Sequence, residues 1–197
     1  MAPAVLVFDL DGTLWDSRIF YAKAISLVGG GELSRSMQCL MDGVPVARLL
    51  REARISPPMF VRLVGQATND LRLYPGVQNI LHLEKARNIP MGVVTNLPRW
   101  IAKPMLDATS LSEFFGTVVD WGRCRVSKPS PRPLLQALED LNISPSRSVW
   151  YVGDSVADGK TARAAEVSFA WASYGYGPDT LAEADGILKS FSDVLAL

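Results

Sequence analysis

The chain is 197 residues long and carries 20 Lys and Arg against 20 Asp and Glu, so its formal charge is zero with the single His neutral. That balance argues against a nucleic-acid binder working by bulk charge, which needs a cationic surplus, and 48% apolar with 20% charged residues is too hydrophobic for a disordered chain. At this length one domain with a smaller insertion is expected, and no run approaches the roughly 20 apolar residues that span a bilayer.

The first element is Ala4 to Phe8, apolar at every residue, as a strand covered by helices on both faces must be. From Ser17 to Leu73 no strand-like run appears. The spacing there predicts helices over Ile19 to Val28, Val44 to Arg54 and Met59 to Leu71, separated by Gly29-Gly30-Gly31, Asp42-Gly43 and Pro57-Pro58. Tyr74-Pro75-Gly76 then supplies turn residues for a return to a sheet. A helix patterned on Val77, Ile80, Leu81 and Leu83 follows, then apolar runs at Met91 to Thr95 and Thr117 to Trp121. A helix patterned on Leu134, Leu135, Leu138 and Leu141 precedes the runs Ser148 to Val152 and Val167 to Ala172. Strand and helix alternate, which predicts an α/β fold, a doubly wound parallel sheet, with an inserted α-helical segment. A long helical crossover within one compact domain explains the same interval and stays open.

The first strand ends in Phe8-Asp9-Leu10-Asp11-Gly12-Thr13. In an open parallel sheet the ligand crevice lies beyond the carboxyl ends of the strands, and a spacing of two sends both carboxylates to one side while strand geometry persists. Two acids so placed repel, which favours a bound cation or a shared proton; an Asp-Gly turn accounts for the same residues without chemistry. A second acidic pair lies in Val152-Gly153-Asp154-Ser155-Val156-Ala157-Asp158. Alone it reads as a helix cap with a dipole-compensating acid. Beside the first pair it brings three or four carboxylates to one crevice, a hard-oxygen set that suits Mg²⁺ and a substrate phosphate.

Thr95-Asn96, ahead of Leu97-Pro98, offers a hydroxyl and an amide to an anion at a helix start, or a plain N-cap at Asn96. Lys128 lies in Ser127-Lys128-Pro129-Ser130-Pro131-Arg132-Pro133, where prolines stiffen the approach to a helix. A fixed ammonium there offsets carboxylate repulsion and holds a phosphoryl oxygen; a Lys in isolation is a surface residue.

In chain order, Asp9-x-Asp11-Gly12-Thr13, Thr95-Asn96, Lys128 and Gly153-Asp154-Ser155-x-x-Asp158 resemble the four motifs of the haloacid dehalogenase (HAD) superfamily of phosphotransferases. The likeness covers essentially the whole chain, because residues 17–73 look like the helical cap of that family's phosphoglycolate phosphatase-like branch. Lys128-Pro129-x-Pro131-x-Pro133 and Tyr174-Gly175-Tyr176-Gly177 resemble the same branch. The resemblance implies a Rossmann-like catalytic core of residues 1–16 and 74–197, a helical cap of residues 17–73, and a Mg²⁺-dependent phosphatase for a small phosphorylated metabolite of the phosphoglycolate or sugar phosphate type.

It also implies roles. Asp9 would be the nucleophile that forms an aspartyl-phosphate, and Asp11 the acid and then the base. Thr95, Asn96 and Lys128 would bind the transferring phosphoryl group, Thr95 and Lys128 as part of the catalytic set. Asp9, the backbone carbonyl of Asp11 and Asp154 would hold Mg²⁺, with Asp158 ligating through water or orienting its neighbours. Leu97 stands where that branch often has Lys, Trp15 where a small aliphatic residue is common, and the insertion is somewhat short, departures that bear on the substrate rather than the chemistry.

The competing activities are a phosphomutase of the β-phosphoglucomutase type, a dehalogenase, disfavoured by Asp11, and a non-catalytic binding module. Trp15 is expected to shape the mouth of the site. His82 is expected to be structural or solvated, as are Arg48, Arg51 and Arg54 on a solvated helix face. Cys39 and Cys124, far apart and with no secretory signal at the start, read as reduced, buried thiols of a cytosolic protein with no membrane partner.

Overall fold

Leu6 and Phe8 project to one face of the first strand and Val5 and Val7 to the other, and all four are fully buried. This alternation fixes the architecture of the computed structural model, which describes residues 3–41, 44–66, 70–177 and 184–197. Its elements begin with β1 (Val5–Phe8), β2 (Trp15–Asp16), α1 (Arg18–Gly29), α2 (Leu33–Met41), α3 (Val46–Glu52), α4 (Pro57–Gln66) and β3 (Arg72–Leu73). They continue with α5 (Val77–Ala86), β4 (Met91–Val94), α6 (Arg99–Ala108), β5 (Thr117–Val119), α7 (Trp121–Cys124) and α8 (Arg132–Asp140). The last are β6 (Val149–Gly153), α9 (Val156–Ala164), β7 (Ser168–Ala172) and β8 (Gly186–Leu188).

Among the described residues, six strands form a parallel sheet in the order β5-β4-β1-β6-β7-β8. Phe8 lies opposite Val93 of β4 and Val152 of β6, which brings the carboxyl ends of the three central strands level. One face packs Leu6, Phe8 and Val93 against α5, α6 and a terminal 3-10 turn, where Phe191 approaches Phe8 at 5.7 Å between ring centroids. The other packs Val5, Val7 and Phe169 against Leu134 and Leu138 of α8 and Ala162 of α9. Apolar burial on both faces is what the unbroken hydrophobic runs required, and the doubly wound parallel α/β sheet is the fold of the chain.

The helices α1 to α4 lie between β1 and β4. Their entrance and exit are paired: Trp15 lies opposite Leu73 and Asp16 opposite Arg72 in a short antiparallel ribbon, and the Tyr74 N–H donates to the Leu14 carbonyl at 3.0 Å. The helices share a continuous apolar cluster with the sheet. Phe60 of α4 packs edge-on against Trp100 of α6 (5.5 Å) and Phe20 of α1 (5.7 Å).

Several local expectations change. The β2–β3 ribbon enters the interval read as pure helix, because a two-residue ladder carries no periodicity. α2 lies between the first two predicted helices; Ser36 is its one buried residue, so it shows no buried apolar stripe. Pro57-Pro58, read as a separator, forms the first turn of α4, where a missing N–H costs nothing. The third apolar run stops at Val119 because Asp120 caps α7, accepting from the Gly122 and Arg123 N–H groups at 2.8 and 3.2 Å. On α5, Leu83 is exposed and Glu84 is buried beside Arg87. β8, three residues with an exposed Ile187, lies at the sheet edge and offered no apolar run. Asp42-Gly43 and residues 67–69 of the third predicted helix lie outside the described residues. Cys39 and Cys124 are free and only half-buried. No helix among the described residues is long and apolar enough to cross a membrane.

Candidate active site

Because β1 and β6 are neighbours in register, the residues that follow them meet. Asp9 leaves β1, Asp154 leaves β6, and Asp158 stands one turn into α9. The three are buried, and one carboxylate oxygen from each lies within 4.8 Å of the others. Burial pushes Asp9 well above the usual carboxylate range; Lys128 opposes that, and Asp158 and Asp154 add to it. Asp154 is raised to about 7, first by burial and then by the charge of Asp158.

One ammonium sits inside this cluster. Lys128 Nζ donates to Asp9 Oδ1 at 2.7 Å and to Asp158 Oδ1 at 2.6 Å, with its side chain only 4% exposed. Burial alone would discharge it, but Asp158 and Asp9 outweigh that and hold it protonated above the ordinary lysine range. Asp158 is saturated: Oδ1 also accepts from Tyr151 OH at 2.8 Å, and Oδ2 accepts from the Ser155 N–H and hydroxyl at 3.0 and 2.5 Å. Burial would raise its pKa, yet Lys128 and these donors bring it below the usual range. Asp158 therefore completes a capping box with Ser155 at the start of α9 and anchors Lys128.

Asp11 lines the same cleft with a separate set of partners. Its carboxylate accepts from Trp15 Nε1 and Ser17 Oγ, both at 2.6 Å, and from Tyr21 OH at 3.2 Å. Burial raises its pKa, and the three donors partly offset the rise. Trp15 is fully buried beneath this acid, so it orients Asp11 and does not shape the mouth.

The Thr95 hydroxyl accepts from the Leu97 N–H at 3.1 Å. The N-cap of α6 is Pro98 without a side-chain bond, so Asn96 is no helix cap. Its amide instead brackets Lys128, Oδ1 accepting from the Lys128 N–H at 2.8 Å and Nδ2 donating to the Lys128 carbonyl at 3.3 Å.

The loop after β7 closes the arrangement. The Tyr176 N–H donates to Asp154 Oδ2 at 2.7 Å; its hydroxyl donates to Asp16 Oδ1 at 3.0 Å and accepts from the Ser17 N–H at 2.7 Å. A Cβ on Gly175 would stand 2.2 Å from the Gly12 carbonyl oxygen and 2.4 Å from Asp154 Cβ, so only glycine fits that approach.

Asp9, Asp11, Thr95, Asn96, Lys128 and Asp154 line one cleft of about 370 Å³, and Asp158 lies just behind Lys128. His82 is elsewhere, edge-on to Phe114 at 4.7 Å. Tyr151, Ser17 and Tyr21 escaped sequence reasoning: Tyr151 sits within an apolar run, and the other two carry no motif. Three buried carboxylates around a single ammonium leave surplus negative charge on oxygen donors, which fits a hard divalent cation.

A doubly wound sheet with such a cluster at the ends of adjacent strands is the setting of an α/β enzyme whose ligand binds beyond the carboxyl ends of the strands. The haloacid dehalogenase-like hydrolase profile matches residues 6–172, and the chain belongs to that family as a phosphoric monoester hydrolase. It is 33% identical over 193 residues to a phosphoglycolate phosphatase of Nitrosospira multiformis, covering 87% of this chain and 83% of that one. To a phosphoglycolate phosphatase of Shigella sonnei it is 32% identical over 231 residues, covering 96% and 90%. The fold matches the crystal structure of a HAD phosphatase from Thermococcus onnurineus with a TM-score of 0.80 and 19% identity, over 100% of this chain and 97% of that one.

Proposed function

We propose that the chain is a Mg²⁺-dependent phosphomonoesterase for a small phosphorylated metabolite, working through an aspartyl-phosphate on Asp9, with residues 17–73 as a cap over residues 1–16 and 74–197. The observation that carries this is the pairing of Asp9 with Lys128 at 2.7 Å inside a buried carboxylate cluster, with a second acid, Asp11, two residues on. Lys128 offsets part of the burial cost of the Asp9 carboxylate and presents positive charge to the incoming phosphoryl oxygens. An Asp9 oxygen bonds to phosphorus as the ester oxygen leaves, and Asp11 gives that oxygen its proton. Water then attacks phosphorus, Asp11 takes the water's proton, the Asp9–phosphorus bond breaks, and inorganic phosphate departs.

Thr95 and Asn96 bind the phosphoryl group in the cleft they line. Asp9, the Asp11 carbonyl and Asp154 would hold Mg²⁺, which supplies charge neutralisation at the phosphoryl oxygens. Asp158, with both oxygens engaged, serves by orienting Lys128. The relatives' name makes phosphoglycolate the first compound to test and sugar phosphates the second. The decisive variant is Asp9→Asn: phosphate release from p-nitrophenyl phosphate in Mg²⁺ should fall by at least about 10³-fold while the folded state persists by circular dichroism. Undiminished release overturns the reading.

A further inference from the structure

Resting on that phosphomonoesterase reading, we propose that the preferred substrate is a monoester of an uncharged, largely apolar alcohol, and that phosphoglycolate is a weak substrate of this chain. The ground is the contrast between the two walls of the cleft. Among the described residues, every charge that lines it stands on the floor: Asp9, Asp11, Asp154 and Lys128. The roof, from the end of α2 to the start of α3, is Leu40, Met41, Pro45, Val46 and Ala47. Asp42 and Gly43 lie outside the described residues, but no Lys or Arg occurs in the sequence from Leu40 to Ala47.

The neighbouring cations are engaged elsewhere. Arg48 is exposed and donates to Glu52 at 2.7 Å. Arg18, beside the mouth, donates through Nε and Nη2 to Asp16 at 3.2 and 3.0 Å, with its guanidinium 4.2 Å over the Tyr176 ring. Among the described residues Lys128 is the one cation that lines the cleft, and it is bound to Asp9 and Asp158.

A substrate whose phosphoryl group sits on the floor must direct its alcohol toward this roof. A carboxylate there would give up part of its hydration against apolar side chains, with no counter-charge among the described residues of the roof. Sugar hydroxyls would exchange water for the apolar side chains of the described roof residues, which offer no replacement partner. An alkyl group gains instead, because each methylene that enters an apolar pocket changes the rate constant by about tenfold or more.

The experiment compares kcat/KM for propyl phosphate, phosphoglycolate and glycerol phosphate in Mg²⁺, on the parent chain, on Val46→Arg and on Asp9→Asn. The expected result is propyl phosphate ahead of both others by at least about tenfold, with Val46→Arg shifting the ratio toward phosphoglycolate by a similar factor. Phosphoglycolate or glycerol phosphate equal to or ahead of propyl phosphate on the parent chain overturns the inference; if Asp9→Asn is inactive in the same assay, the phosphomonoesterase reading stands. Turnover that survives Asp9→Asn overturns that reading and the inference with it.

Discussion

Lys128 is surrounded by groups that gain from its charge, so its removal acts on stability as well as rate. Without it, Asp9 and Asp158 face each other in a buried space with no counter-charge. Lys128→Met is expected to cost about 3–5 kcal/mol, the usual penalty for stripping one partner from a buried ion pair. Urea titration at neutral pH measures it, and a loss under about 1 kcal/mol contradicts the charge balance described. Asp11 gives a kinetic counterpart. p-Nitrophenolate leaves without a proton, so Asp11→Asn should still form the aspartyl-phosphate from p-nitrophenyl phosphate and then stall at hydrolysis. A burst of about one equivalent of p-nitrophenolate per enzyme, followed by slow turnover, is expected in stopped flow; linear release from the first turnover counts against this role. At this scale the sequence displays the groups whose chemistry dictates residue type and place in the chain, namely Asp9, Asp11, Lys128 and Asp154. It does not display Trp15, Ser17, Tyr21 and Tyr151, whose contribution is an approach in space that many residue types could make from many positions.

Elements position these groups, and two contacts between elements are especially exposed to change. Gly175 lets the loop after β7 touch both Gly12 and Asp154. Gly175→Ala must displace that loop and with it the Tyr176 N–H from Asp154 Oδ2; phosphatase activity should fall by at least about tenfold while thermal unfolding shifts only a few degrees, as expected for a loss under about 1 kcal/mol. Phe60 joins α4 to α1 and α6, so Phe60→Ala should cost about 3–5 kcal/mol, measured by the same urea titration. The buried parallel strands were legible because burial on both faces demands unbroken apolar runs. α2 was not, since its one buried residue is a serine, and the ribbon and β8 were too short to display a period.

Among the described residues, the molecule holds more buried carboxylate than its one buried ammonium, Lys128, can balance. Asp9 and Asp154 titrate above the unfolded carboxylate range, the latter at about 7. Between about pH 4, where unfolded carboxyls ionise, and about 7, the folded chain retains protons that the unfolded chain has released. Stability must fall as pH rises through that window. In EDTA the thermal midpoint is therefore expected to be lower at pH 8 than at pH 5, and Mg²⁺ should raise it more at pH 8, where the carboxylates are free to bind. A midpoint independent of pH and of Mg²⁺ refutes the cation assignment.

The ribbon that pairs Trp15 with Leu73 has an evolutionary consequence. The chain leaves and re-enters the sheet through one doorway, so the excursion between can be lengthened, trimmed or exchanged without moving a single central strand.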